Sequence, residues 1–133
     1  MLGKYYKKFA CPKDYPLFEK LGRIATYVAR QEGLRRPYVR PKRRAYRSSY
    51  RGLCDNWGVI SLIVRYKTDG RWEAERLSID SILYTLAHEI GHLRYLNHSR
   101  EFRAYEASLR ALVFEAWENY RGLCKRGLMP KAA

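Results

Sequence analysis

Three stretches of this chain carry apolar residues at a helical period. In the first, Leu17, Phe18, Leu21, Ile24, Ala25 and Val28 fall on one face. Asp14 stands where an N-cap belongs, Pro16 lies in the first turn, and Gly33 closes the run. In the second, Ile79, Ile82, Leu83, Leu86, Ile90 and Leu93 form a single stripe behind Ser78, a capping residue. That helix cannot run far past Asn97. Ser99 is a fresh N-cap for the third stretch, which bears Phe102, Tyr105, Leu109, Leu112, Val113, Ala116 and Tyr120. From Lys125 onward, KRGLMPKAA reads as a frayed tail.

Between the first two helices the pattern changes. Residues 57–66, WGVISLIVRY, are rich in β-branched and aromatic side chains and predict a strand. Asp69-Gly70 supplies a hairpin-type turn, with Arg71 to Leu77 as the returning strand. Upstream, Pro37 and Pro41 forbid a helix and confine any strand over 38–47 to a sheet edge, followed by a turn at Gly52. Together these elements predict an α+β fold: an N-terminal helix, a sheet of roughly three strands, the second helix and a closing C-terminal helix. With 133 residues and 47% hydrophobic content, a single domain over 1–133 is expected, its core spanning 14–123.

Composition narrows the classes. No stretch reaches the ~18 consecutive apolar residues of a membrane span. The start, MLGKYYKKFACPKD, lacks the apolar segment of a secretory signal, so a cytoplasmic protein is expected. Cys11, Cys54 and Cys124 are odd in number and far apart, which argues against a disulfide framework or a zinc ribbon. They read as small apolar residues. Trp57, Trp72 and Trp117 read as core or rim aromatics.

Charge adds a question. The 27 Lys and Arg outnumber 13 Asp and Glu, for a formal +14. Residues 33–54 hold no acid but eight bases (Arg35, Arg36, Arg40, Lys42, Arg43, Arg44, Arg47 and Arg51) with Tyr38, Tyr46 and Tyr50 interleaved. Such a tract can line a groove for nucleic acid, with tyrosines for stacking. It can equally be a solvated cationic edge that discourages strand aggregation.

All three histidines fall within residues 88–98. In His88-Glu89-Ile90-Gly91-His92 the two imidazoles are four apart, so on a helix they point within about 40° of each other and rise about 6 Å. Glu89 flanks the same face, close enough to serve a water without binding the metal. This is the HExxH arrangement of zinc peptidases. The bland alternative is a pair of solvated helix histidines. His98 lies six residues on, where continued helix would carry it about 240° away. The chain must fold back first, and Asn97, tolerant of the left-handed conformation, and Ser99 suit that reversal. Three imidazoles leave zinc a fourth position for water, the mark of a catalytic site, with Glu89 as general base. A rival scheme takes the third ligand from an acid on the last helix, where Glu101 and Glu106 stand. These acids can also be solvated surface or partners that hold an imidazole. His98 is preferred to Glu106, because imidazole suits zinc and the turn residues suit His98.

The run HEIGHLRYLNHSREF resembles the core signature of the SprT-like zinc metallopeptidases, closest to their YgjP-like branch: HExxH, then Asn-His-Ser, then Phe three residues after Ser. RGLCDNWGVISLIVRY resembles that family's segment leading into the active-site helix, and the similarity spans roughly residues 35–110. It implies a zincin-like metallopeptidase fold, zinc on His88, His92 and His98, and Glu89 as base. Two departures stand out. Trp57 and Gly58 follow Cys54 instead of preceding it, and Arg103 replaces the aromatic usual after Phe102. Three functions follow from these residues. The first is a zinc peptidase, extending to proteins bound to nucleic acid. The second is a metal-dependent hydrolase of a nucleotide-type substrate, and the third a non-catalytic nucleic-acid-binding module. Glu89 argues against the last. The expected cleft lies between sheet and active-site helix, with an extended peptide pairing to an edge strand within 57–66.

Overall fold

The structure, a computed structural model, describes residues 4–131. A short helix α1 (Lys4–Phe9) and a 3-10 turn (Pro12–Asp14) lead into α2 (Tyr15–Gln31). Helix α2 buries Leu17, Phe18, Leu21, Ile24, Ala25 and Val28, the stripe its pattern predicts. Asp14 precedes it but does not cap it. Its carboxylate turns inward and accepts from Arg65 Nε at 2.9 Å and Nη2 at 3.0 Å, with both side chains buried. Arg65 Nη1 donates to the carbonyls of Glu73 and Ala74. An unpaired buried guanidinium costs several kcal/mol, while a lost cap costs ~1 kcal/mol, so the ion pair takes the carboxylate.

The main sheet has the order β1-β3-β2, from β1 (Tyr38–Pro41), β2 (Gly52–Cys54) and β3 (Val59–Leu62). Strand β1 runs parallel to β3 at an edge, as its prolines require, and β2 runs antiparallel on the other side. The segment 57–66 therefore supplies the central strand, not an edge, and the free edge beside the helices belongs to β2. Gly52 opens that strand instead of making a turn. A Cβ there would meet Thr85 Cγ2 at 2.5 Å and Glu89 Oε2 at 2.8 Å, so only glycine lets the strand pass so close. A second, two-stranded ribbon joins β4 (Lys67–Thr68) to β5 (Arg71–Trp72) through Asp69 and Gly70, both with positive φ. The returning strand stops at Trp72, because the next carbonyls turn to Arg65. Trp57 is 84% exposed, neither core nor rim. Asp55 accepts from the backbone N–H of Trp57 and Val59 and closes a tight turn that projects the indole outward.

Helix α3 (Ile79–Gly91) is capped by Ser78 Oγ, and α4 (Arg100–Glu118) by Ser99 Oγ, each accepting a backbone N–H at 3.1 Å. A short α5 (Tyr120–Lys125) follows. Ile60 and Leu62 of β3 pack with Leu21, Ile24, Leu86, Ile90, Leu109 and Val113 in one core. That core reaches past the expected limits of 14–123, to Tyr6 and Ala10 before it and Met129 after it. The expected frayed tail is docked. Arg23 donates to the carbonyls of Met129 and Pro130, and Arg36 to that of Lys131, while Met129 is buried. Residues 132–133 of that tail lie outside the described residues. Among the described residues no helix is long and apolar enough to cross a membrane. The three cysteines are unpaired.

Candidate metal centre

The C-terminal end of α3 places His88 and His92 one turn apart. The helix stops at Gly91, and the chain reverses through successive turns, with Leu93 N–H on Ile90 O and Tyr95 N–H on Gly91 O, each at 3.0 Å. Asn97 is not left-handed: Asp69 is the one non-glycine described residue with positive φ. Spread over residues 92–99, the reversal needs no such residue. It returns His98 to the other two imidazoles.

The three Nε2 atoms lie 3.2 Å from one another. His92 Nδ1 donates to the Tyr95 carbonyl at 2.9 Å, and His88 Nδ1 pairs with Glu106 Oε2 at 2.5 Å. With both Nδ1–H groups committed outward, the Nε2 lone pairs of His88 and His92 face inward. Lone pairs converging at this distance repel unless a cation lies between them. An ion ~2.0–2.1 Å from each nitrogen, the zinc–imidazole distance, would see them about 100° apart, near tetrahedral. The residues present therefore fit a metal ion, and His88, His92 and His98 could hold one.

No protein-family model, curated protein or solved structure matches this chain.

The surroundings of the three histidines are specific. Phe102 lies beneath all of them, stacked on His92 at 4.6 Å and edge-on to His88 at 5.0 Å and His98 at 5.3 Å. Its ring approaches Gly91 so closely that a Cβ there would lie 2.8 Å from Cε2. Glu106 faces the Nδ1 side of His88, away from the convergence point, and accepts from Arg110 Nη2 at 2.8 Å. That position makes it a holder of the imidazole and not the third member of the group. Glu101 is exposed. Burial lowers the His92 pKa, the Tyr95 carbonyl opposing, which favours the neutral ligating form.

Glu89 is wedged between α3 and Gly52 and is 5% exposed. Burial pushes its carboxyl up to about 7, with His88 opposing and Glu106 adding to the rise. A carboxyl poised there can take a proton and return it at neutral pH. The Cys54 thiol, on the same strand as Gly52, is pushed up to about 11 by burial, then by Glu89 and Asp55, with Arg35 opposing. It is no activated nucleophile.

A cavity of about 350 Å³ opens beside these groups, between Tyr50, Arg51 and Gly52 on one wall and His88, Glu89 and Arg110 on the other. Arg51 O accepts from Ile63 N and Asp55 N donates to Val59 O, so residues 51, 53 and 55 bond to β3. By alternation, the backbone groups of Gly52 and Cys54 point away from β3 along the free edge. Sequence reasoning missed Gly52, Arg110 and the role of Phe102 beneath the imidazoles. The Phe after Ser99 was visible in the motif; Gly52 gave the signal of a turn, and Arg110 carried none.

Proposed function

We propose that this chain is a zincin-like zinc metallopeptidase of the SprT-like kind, hydrolysing peptide bonds in the cleft beside His88, Glu89, His92 and His98. The observation that carries the reading is the convergence of three imidazole Nε2 atoms next to one buried carboxyl. When bound, zinc would supply Lewis-acid polarisation of a carbonyl and draw the pKa of water down toward neutrality. Glu89 takes the proton of the attacking water and passes it to the leaving amine. Its burial beside Gly52 excludes competing solvent and keeps its pKa near the working pH. Glu106 and the Tyr95 carbonyl hold His88 and His92 in the tautomer that ligates. The free edge of β2 offers the backbone groups of Gly52 and Cys54 to an extended peptide, which would lie along the strand with its scissile bond at the histidines. Three unpaired thiols suit the reducing cytoplasm.

The test begins with metal analysis of purified protein, where one zinc per chain is expected. Glu89→Gln should keep the metal and lose hydrolysis of an unstructured protein by about 10²–10⁴-fold, the usual contribution of a general base. His92→Ala should lose both. Unchanged hydrolysis in Glu89→Gln overturns the mechanism, and a fully active protein without metal overturns the reading.

A further inference from the structure

The sheet has a second face. Side chains alternate along strands, so while Val39, Gly52 and Ile60 face the helices, Arg40, Leu53 and Ser61 project the other way. There they line a cavity of about 460 Å³, closed on one side by Tyr5 and Phe9 of α1 and rimmed by Lys42, Arg43 and Arg44. No acid lines it. Arg40 Nε donates to Ser61 Oγ at 3.2 Å, and its guanidinium lies over the Tyr5 ring at 4.6 Å. Arg43 stands over Phe9 at 5.4 Å.

Rings and a hydroxyl, not carboxylates, position these cations. Among the described residues Arg40, Lys42, Arg43 and Arg44 have no carboxylate within salt-bridge distance, whereas Arg47 of the same tract pairs with Glu73 at 2.6 Å. Their charge is left for a ligand. Guanidinium forks match phosphate oxygens in pairs. The rest of the lining is apolar: Leu53, 56% exposed, and the edges of Tyr5 and Phe9, whose faces carry the two guanidinium groups. A ligand that satisfies both walls has a flat apolar face joined to an anion. The volume is that of a small-molecule pocket, ~300–1,000 Å³.

We propose that this cavity binds a nucleotide unit, with phosphate on Arg40, Arg43 and Arg44 and base against Leu53 and the edges of Tyr5 and Phe9. The unit is either a free nucleotide or one residue of single-stranded nucleic acid. A duplex keeps its base faces stacked inside and offers phosphates and groove edges alone, and an acidic peptide leaves the apolar wall wet. Strand β2 is the common wall between this site and the metal centre, Leu53 facing one and Gly52 the other. The site does not depend on the peptidase reading.

The experiment is fluorescence anisotropy of the full chain with a labelled mixed-sequence single strand of fifteen nucleotides. AMP, the duplex of the same sequence and poly-glutamate serve as competitors. Arg40→Gln, Arg43→Gln and Arg44→Gln together should weaken binding about tenfold or more and lower the slope of log affinity against log salt by about two. Arg71→Gln, Arg76→Gln and Arg103→Gln together remove the same charge from exposed positions outside the cavity and should cost under about threefold. Leu53→Glu puts a carboxylate in the cavity at an exposed position and should abolish binding with the circular dichroism spectrum unchanged. Glu89→Gln should bind as the parent does. Displacement of the strand by AMP assigns a free nucleotide as occupant; failure of millimolar AMP to displace a bound strand assigns the polymer. Equal losses in the two triple variants, competition by duplex or poly-glutamate as strong as by the strand, or no binding at low salt would each overturn the proposal.

Discussion

At His88 one carboxylate decides which ring nitrogen is free to ligate. Glu106 takes the Nδ1 side, Arg110 holds Glu106, and Nε2 is left to point at its two neighbours. Glu106→Ala should therefore lower metal affinity about 10–100-fold in chelator competition, the usual cost of losing such a partner. Glu106→Gln, whose amide oxygen can accept the same N–H, should recover most of it. Unchanged affinity in the alanine variant would show that Phe102 and packing orient the ring unaided. His88, Glu89 and His92 were legible because helical spacing alone puts them on neighbouring positions, and His98 because a fresh cap at Ser99 lets the chain fold back before the next helix. Glu106 was not. It is fourteen residues beyond His92, and only the docking of α4 on α3 decides which nitrogen it meets. Asn97 misled because a sharp left-handed stop and a gradual reversal need the same chain length.

Among the elements, the α3–α4 hairpin closes where a backbone meets a ring. Phe102 is buried among three imidazoles and cannot yield to a Cβ on Gly91. Gly91→Ala should cost about 1–3 kcal/mol in urea unfolding as overpacking outweighs the gain in helix propensity. It should weaken metal binding as well, since the ring that displaces is the floor of the site. Gly122→Ala in α5, where nothing lies within 4 Å, should instead gain up to about 1 kcal/mol. If both substitutions stabilise alike, the close approach at Gly91 has no energetic weight. The helices themselves were legible, because long apolar stripes and the caps Ser78 and Ser99 are local signals. The strands were less so: three- and four-residue pairings are set by partners far along the chain, and Gly52 looked like a turn because glycine marks turns and close approaches alike.

For the whole molecule, the Asp14–Arg65 pair ties the start of α2 to the loop between β5 and α3. Asp14→Asn leaves a buried guanidinium without its counter-ion and should cost about 3–5 kcal/mol in urea unfolding. A loss below about 1 kcal/mol would mean that the Glu73 and Ala74 carbonyls suffice. Nothing in the sequence marked this pair, fifty-one residues apart. The docked tail escaped notice similarly, since Arg23, which holds the last carbonyls, lies more than a hundred residues before the Met129 it helps to seat.

The histidine triad is as compact along the chain as it is in space. Ten peptide bonds separate His88 from His98, while α2, the main sheet and all of α4 lie outside that loop. A cross-link removes freedom from an unfolded chain in proportion to the logarithm of the loop it closes, and this loop is among the shortest that can be closed. The apolar core is assembled from other residues. On the proposed metal reading the scaffold should therefore stand without an ion: chelation and then added zinc should empty and refill the centre like a socket, with the circular dichroism spectrum unchanged throughout.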